Sequence, residues 1–365
     1  MTSTVTQLTP RWASPPGRTI QAILSQIGRT PDDLSELLDV DSRTAAALLN
    51  EDFALSPELA GKLSKTLGSS PQFWMTRYEQ YREDLLRVQA DRWARSAPAD
   101  LSRFGWVQKS DSWLSRISDL FDFFDVPDLP TWRARYAPAL VSAHYRKSET
   151  FEADELAVAA WLRRAQLESR SLRLGAWDPA RFETSVAEAR RLTWRKDPND
   201  FLPTLVAACA AAGVALVVVR APKGCPASGA TYTTEEGAPL IVLSGRYLSD
   251  DHLWFTFFHE AAHVLLHHGV TFVDELDPAQ ADETEDDRER EANEWAASMV
   301  LSPQLLQECR SVRLTHKAVL RIAYASGVAP GLVVGQLQHA GLVSPSQLNK
   351  LKRRYNWNGP SLETA

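Results

Sequence analysis

A mainly α fold with one small β-sheet, an α+β architecture, follows from three features of the chain. Through the first two hundred residues, apolar side chains recur at i, i+3, i+4 and i+7 in short runs with capping residues at their starts, the spacing of one helix face. Between Val214 and Ser244 the pattern shifts to short β-branched runs separated by Gly and Pro. Directly after them, from Phe255 to His268, comes an apolar stretch that nothing interrupts as a helix. The length of 365 residues, with 24% charged and 44% hydrophobic, suits a globular chain of two or three domains. The boundaries fall as a flexible start over 1–15, a helical unit over 16–95, a helical connector over 96–195, a core over 196–305 and a C-terminal helical extension over 306–365.

The first unit reads as consecutive short helices. Ile20, Ile23, Leu24 and Ile27 mark one face of the first. Thr30-Pro31-Asp32-Asp33 is a helix start, with a Thr cap, Pro in first position and acids in the first turn. That helix continues through Leu34, Leu37 and Leu38. Asp41 or Ser42 caps the next, through Ala45, Leu48 and Leu49, and Ser56-Pro57-Glu58 opens another with Leu59, Leu63 and Leu67. After Gly68-Ser69-Ser70-Pro71 a long helix carries Phe73, Trp74, Tyr78, Tyr81, Leu85 and Leu86. Two short helices joined by a tight turn and flanked by packing helices form a helix-turn-helix.

The run from Pro16 to Trp74 resembles the XRE-type helix-turn-helix of HigA-like antitoxin regulators. The resemblance implies a recognition helix over Ser42 to Asn50, with Ser42, Arg43 and Thr44 nearest the bases of DNA. Glu51-Asp52 stands where that family has a basic turn. Residues 1–100 hold eleven Lys and Arg against thirteen Asp and Glu. Affinity for DNA comes mainly from phosphate neutralisation by Lys and Arg. Two roles therefore stay open for this unit: DNA binding, or a helical module for dimerisation or for holding another helix-turn-helix protein.

Residues 101–200 predict further helices. Trp113, Ile117, Leu120, Phe121 and Phe124 space out one apolar face; Ala157, Trp161 and Leu162 form another, opposite Arg163 and Arg164. No catalytic constellation lies here, and His144, alone, is read as structural. Leu202 to Ala212 is an apolar helix. Val214 to Val219 is a buried strand, Gly229 to Thr233 a second, and Leu240 to Ser244 a third, the last two joined as a hairpin by a short Gly/Pro loop.

The apolar helix that follows carries His259, Glu260 and His263 in the pattern H-E-x-x-H. Residues four apart share a helix face, so both imidazoles can ligate one zinc ion. Glu260 lies about 100° around the helix, placed to take a proton from a water activated by that metal. By chance the pattern usually falls on a polar, exposed helix; among Phe and Leu, two His and a Glu are costly unless paired or metal-bound. A catalytic zinc site needs a third protein ligand. The acid-rich stretch 274–294 supplies candidates. Ala292, Trp295, Ala296, Met299 and Val300 form an apolar face of the helix that ends this stretch. Glu291 lies beside that face, while Glu289 and Glu294 are expected to be exposed.

The segment from Gly229 to Gly269, followed by Arg288 to Pro303, is similar to the ImmA/IrrE family of zinc metallopeptidases. That family has H-E-x-x-H on one helix and an E-A-N-x-(F/W)-A-A helix after a loop. The resemblance implies zinc held by His259, His263 and Glu291, with Glu260 as general base, in a zincin-like domain. Zincin proteases set a sheet edge beside the metal, where a substrate peptide adds as a strand. His267, four residues beyond His263, could approach the metal; hydrogen-bonding within the core is the preferred reading. Residues 317–343 and the basic run 350–354 resemble the small C-terminal helical pair of the same family.

Together these resemblances imply a cytoplasmic, site-specific zinc endopeptidase of regulation. Its expected partner is an XRE-type transcriptional repressor cleaved in a stress or mobile-element response, with DNA and a second copy of the chain as further candidate partners. The alternative is a HigA-like DNA-binding regulator or antitoxin whose zinc domain senses or packs. The net charge of −6 gives no global reason to expect nucleic acid or an anionic membrane. No run approaches the ~18 apolar residues of a spanning helix. The N-terminus lacks the basic and apolar regions of a signal peptide. Cys209, Cys225 and Cys309 form no C-x-x-C pair, which points to reduced thiols and away from a disulfide framework.

Overall fold

The computed structural model describes residues 11–50, 54–142, 152–234, 236–267, 272–274 and 287–365. Glu51-Asp52, His144, His268 and most of the acidic run lie outside them. The chain is mostly helical with two small sheets, as the α+β reading requires. It divides into two units. One holds 1–95 with 110–121 and 127–129; the other holds 96–109, 122–126 and 130–365.

In the first unit the predicted helices form where their caps stand. Thr30 and Asp33 close a capping box on the 3-10 turn Pro31–Asp33, which leads into Leu34–Leu38. Asp41 accepts from the Thr44 backbone N–H at the start of Ser42–Leu49, and Ser56 from that of Leu59 at the start of Pro57–Leu67. Ile20, Leu24, Leu34, Leu38, Ala45, Leu48, Leu59, Leu63, Leu67 and Trp74 make its core, all of them read from sequence, whereas Ile27 and Phe73 of the same reading are exposed.

In the second unit a four-stranded sheet runs in the order β1 (Ala215–Val218), β3 (Pro239–Leu243), β2 (Gly229–Thr233), β4 (Phe272–Asp274). β1 and β3 are parallel, and β2 pairs antiparallel with both β3 and β4. The predicted hairpin is β2–β3. β4, only three residues long, carries too little pattern to be read from sequence. Its pairing occupies the second edge of β2, so β4 is the rim on that side among the described residues.

Helix Glu152–Ser169 and helix Asp250–Leu266 both pack on this sheet. Period-two alternation along β2 separates them: the Tyr232 hydroxyl donates to Leu162 O on the first helix, and the Thr231 hydroxyl reaches Glu260 on the second. Trp161 Nε1 likewise donates to Val219 O at 2.8 Å. Arg163, expected on a polar face, is buried instead and donates from Nε to Phe123 O. The expected connector thus contributes a layer to the second unit.

Helix Asp250–Leu266, here the central helix, is buried over most of its surface, as its apolar composition requires: Leu253, Trp254, Phe257, Phe258, Ala261, Ala262 and Val264 are all buried. Helices His316–Ser326 and Pro330–His339 put Val319, Ala323, Leu332, Val333, Val334 and Leu337 into the same core. The expected C-terminal extension thus packs into the same core. The chain ends in a hairpin, β5 (Tyr355–Asn358) with β6 (Ser361–Thr364), where helix had been expected. Its two-residue turn is Gly359-Pro360, closed by the pair Asn358–Ser361, with Gly359 at positive φ. Among the described residues, no single helix is long and apolar enough to cross a membrane.

The central helix is locked at its N-terminus. Asp250 is fully buried; its Oδ1 accepts from the backbone N–H of Asp251 and of Arg353, both at 3.0 Å. Asp251 Oδ2 pairs with Lys352 Nζ at 2.6 Å. Gly331 permits this packing, since a Cβ there would lie 2.4 Å from either Asp250 carboxylate oxygen. Burial first, and the neighbouring Asp251 charge as well, push the Asp250 carboxyl up to about 6, against the Arg353 N–H and charge. The folded pKa is raised, so the folded chain holds this proton to higher pH than the unfolded chain, and stability is lost as pH rises through about 6. Asp250→Asn is expected to gain about 2 kcal/mol relative to wild type between pH 4.5 and 7. Urea unfolding of both proteins at the two pH values measures this; parallel behaviour would show that Asp250 is ionised throughout.

Candidate metal centre

His259 and His263 project from one face of the central helix, and both are buried. Their Nε2 atoms stand 3.0 Å apart. Across from them, helix Asp287–Val300 supplies Glu289, whose Oε2 lies 3.2 Å from His259 Nε2 and whose Oε1 lies 3.3 Å from His263 Nε2. One donor atom from each of the three residues thus falls within 4.8 Å of the others. The far nitrogens are held as well. His259 Nδ1–H donates to Asn293 Oδ1 at 3.1 Å, which leaves a lone pair at Nε2. His263 Nδ1 lies 3.1 Å from Nδ1 of His267, and His267 Nε2 lies 2.9 Å from Glu291 Oε2.

Glu260 is fully buried beside this cluster. The Thr231 hydroxyl sits 2.7 Å from its Oε2 and 3.2 Å from its main-chain oxygen. Gly229, two residues earlier on the same face of β2, leaves space for the carboxylate: a Cβ there would lie 2.3 Å from Glu260 Oε1. The sheet thus positions the acid that the helix carries.

The model of the Peptidase M78 family, described as the IrrE N-terminal-like domain, matches residues 213–334. That span contains β1 to β4, the central helix, Glu289 and Asn293. The chain carries an M78 peptidase domain. Its N-terminal region is 38% identical, over 60 residues, to an uncharacterised HTH-type transcriptional regulator, YddM, of Escherichia coli (strain K12). The match covers 16% of this chain and 64% of that relative.

In the M78 domain the charges suit a divalent cation. Burial pushes the His263 imidazole below the ordinary histidine value, against the pull of Glu289. Burial would raise the Glu289 carboxyl, but the hydrogen bonds and charges of His259 and His263 outweigh it and hold the group well below the usual carboxylate range. Two imidazoles and one carboxylate are the ligand chemistry of a catalytic zinc site. A buried ion between them also answers the crowding of the two Nε2 atoms around a single anion. The residues present fit zinc.

The structure brings together His259, Glu260 and His263 as expected, but it replaces Glu291 with Glu289 at the cluster. The Glu289 side chain is 23% exposed and that of Glu291 59%. Helix phase explains the difference. At ~100° per residue, Glu289 lies about 20° from the buried Ala296, and Glu291 about 140° away. The sequence reading placed Glu291 beside a face of Ala292, Trp295, Ala296, Met299 and Val300 and took it as ligand from its position in the family motif; Trp295 and Met299 are only half-buried. The same arithmetic, applied to Ala292, Ala296 and Val300, points to Glu289 and to Asn293 one turn on. Thr231 and Gly229 left no signal, because the helix they serve is distant in sequence. In the first unit, Ser42 and Arg43 are exposed, whereas the Thr44 hydroxyl donates to Asp41 Oδ2 at 2.8 Å and so completes the helix cap.

Proposed function

We propose that the chain is a zinc-dependent, site-specific endopeptidase that acts in the cytoplasm on a helix-turn-helix repressor of the XRE type. The observation that carries this reading is the convergence of His259, His263 and Glu289 beside the buried Glu260 in a domain of a peptidase family. His259, His263 and Glu289 would hold the zinc. When bound, zinc supplies Lewis acidity, polarising a peptide carbonyl and making water acidic enough to attack near neutral pH. The Glu260 carboxylate takes the proton of the attacking water and passes it to the leaving amine nitrogen. Thr231, donating to Oε2, fixes the orientation in which Glu260 does this. Asn293 fixes His259 with its lone pair at Nε2.

The regulator-like segment supports the choice of substrate, since a module of this fold is suited to meeting partners of its own kind. The test is incubation of the zinc-loaded chain with XRE-type repressors encoded beside its gene. A single cut is expected, abolished by a chelator and restored by zinc. Intact repressors throughout, with zinc bound, would contradict the substrate.

A second reading, a DNA-binding regulator, is favoured by the exposed Ser42 and Arg43 at the start of their helix and by the 38% identity to a protein named as a transcriptional regulator. It requires binding to operator DNA that weakens steeply with salt. A flat response excludes it.

A further inference from the structure

We infer that His267 is a positioning residue of the metal centre: its Nδ1 accepts the Nδ1–H of His263, and Glu291 accepts the Nε2–H of His267, so that His263 turns a lone pair at Nε2 toward the ion. This rests on the zinc reading above. His267 lies one turn beyond His263, on the same face of the central helix, where its backbone N–H donates to His263 O. Its side chain is only 7% exposed, so its ring nitrogens face protein groups.

The proton positions follow from pairing each N–H with an acceptor. Glu291 Oε2, 2.9 Å from His267 Nε2, is an acceptor, which places a proton on that nitrogen. With the proton on Nε2 and none on Nδ1, His267 presents a lone pair to His263. His263 Nδ1, 3.1 Å away, must supply the proton between them, and its Nε2 is left with a lone pair. The opposite neutral arrangement sets the Nε2 lone pair of His267 against the Glu291 carboxylate. It also leaves a proton on His263 Nε2 in the middle of the cluster. Asn293 does for His259 what His267 does for His263, so each imidazole has its own acceptor. Such outer partners fix ring orientation and ligand basicity. Glu291, the residue that the family resemblance assigned to the metal, thereby has a different task one step further out.

The test uses the full metal-free chain, titrated with zinc against a chromophoric chelator. His267→Phe removes the acceptor and is expected to weaken zinc binding by about 10–100-fold. His267→Asn sets Oδ1 near the place of Nδ1 and is expected to recover most of the loss, with the wild-type visible spectrum after loading with cobalt(II). Glu291→Leu is expected to cost less than about tenfold, since Glu291 is itself largely exposed and its loss leaves the His267–His263 contact in place. Nitrogen-15 NMR of the metal-free wild type is expected to show the proton of His263 on Nδ1.

Unchanged zinc affinity in His267→Phe overturns the inference, as does equal weakening by Phe and Asn, which is a packing effect. So does a His263 Nδ1 without a proton. Wild-type protein that binds no zinc overturns the metal reading itself, and this inference with it. Zinc bound by the wild type and by His267→Phe alike overturns this inference alone.

Discussion

Glu260→Gln is expected to abolish peptide hydrolysis while zinc stays bound. A general base contributes about 10²–10⁴ in rate, and Glu260 is the carboxylate that the sheet holds beside the donor cluster. Gln has the same shape, and its carbonyl oxygen still accepts from Thr231, so the surroundings have no reason to rearrange. The Thr231 hydrogen bond is kept, so the variant is expected to be about as stable as wild type. The measurement is the single-turnover rate on the cleaved repressor, with zinc per chain determined on the same preparation. Loss of rate with loss of zinc would make Glu260 a ligand, and a rate within tenfold of wild type would remove it from the chemistry.

The second large effect separates two glutamates that lie two residues apart. Glu289→Ala is expected to lose zinc under dialysis, because it takes away the only carboxylate that stands opposite both Nε2 atoms among the described residues. Glu291→Ala is expected to keep zinc, with affinity reduced by less than about tenfold, because its carboxylate acts on His267. Elemental analysis after dialysis against a weak chelator reads both. The reverse outcome would return Glu291 to the metal and show that helix Asp287–Val300 is rotated from the position described.

The comparison of these two residues shows what the sequence could and could not reveal. H-E-x-x-H was legible because both halves of its signal are local: a four-residue spacing and an apolar helix around it. The caps at Thr30, Asp41 and Ser56 and the β2–β3 hairpin were legible for the same reason. The third donor depended on the phase of a short helix whose apolar face is mixed; the phase left Glu291 only beside that face, and the family motif decided for it, whereas the structure sets Glu289 opposite the two imidazoles. Thr231 and Gly229 serve Glu260 across about thirty residues of chain, so no periodicity connects them. The buried Asp250 looked like an ordinary acid at a helix start, since its partner Arg353 lies a hundred residues away. The β5–β6 hairpin has strands of four residues around the Gly359-Pro360 turn, too short for their pattern to stand out from sequence.

The most direct test of the account is the amount of zinc on the purified wild-type chain, by elemental analysis after reconstitution and removal of free metal. About one zinc per chain is expected, retained in Glu260→Gln and lost in Glu289→Ala. A wild-type chain that takes up no zinc would contradict the assignment of His259, His263 and Glu289 as a metal centre.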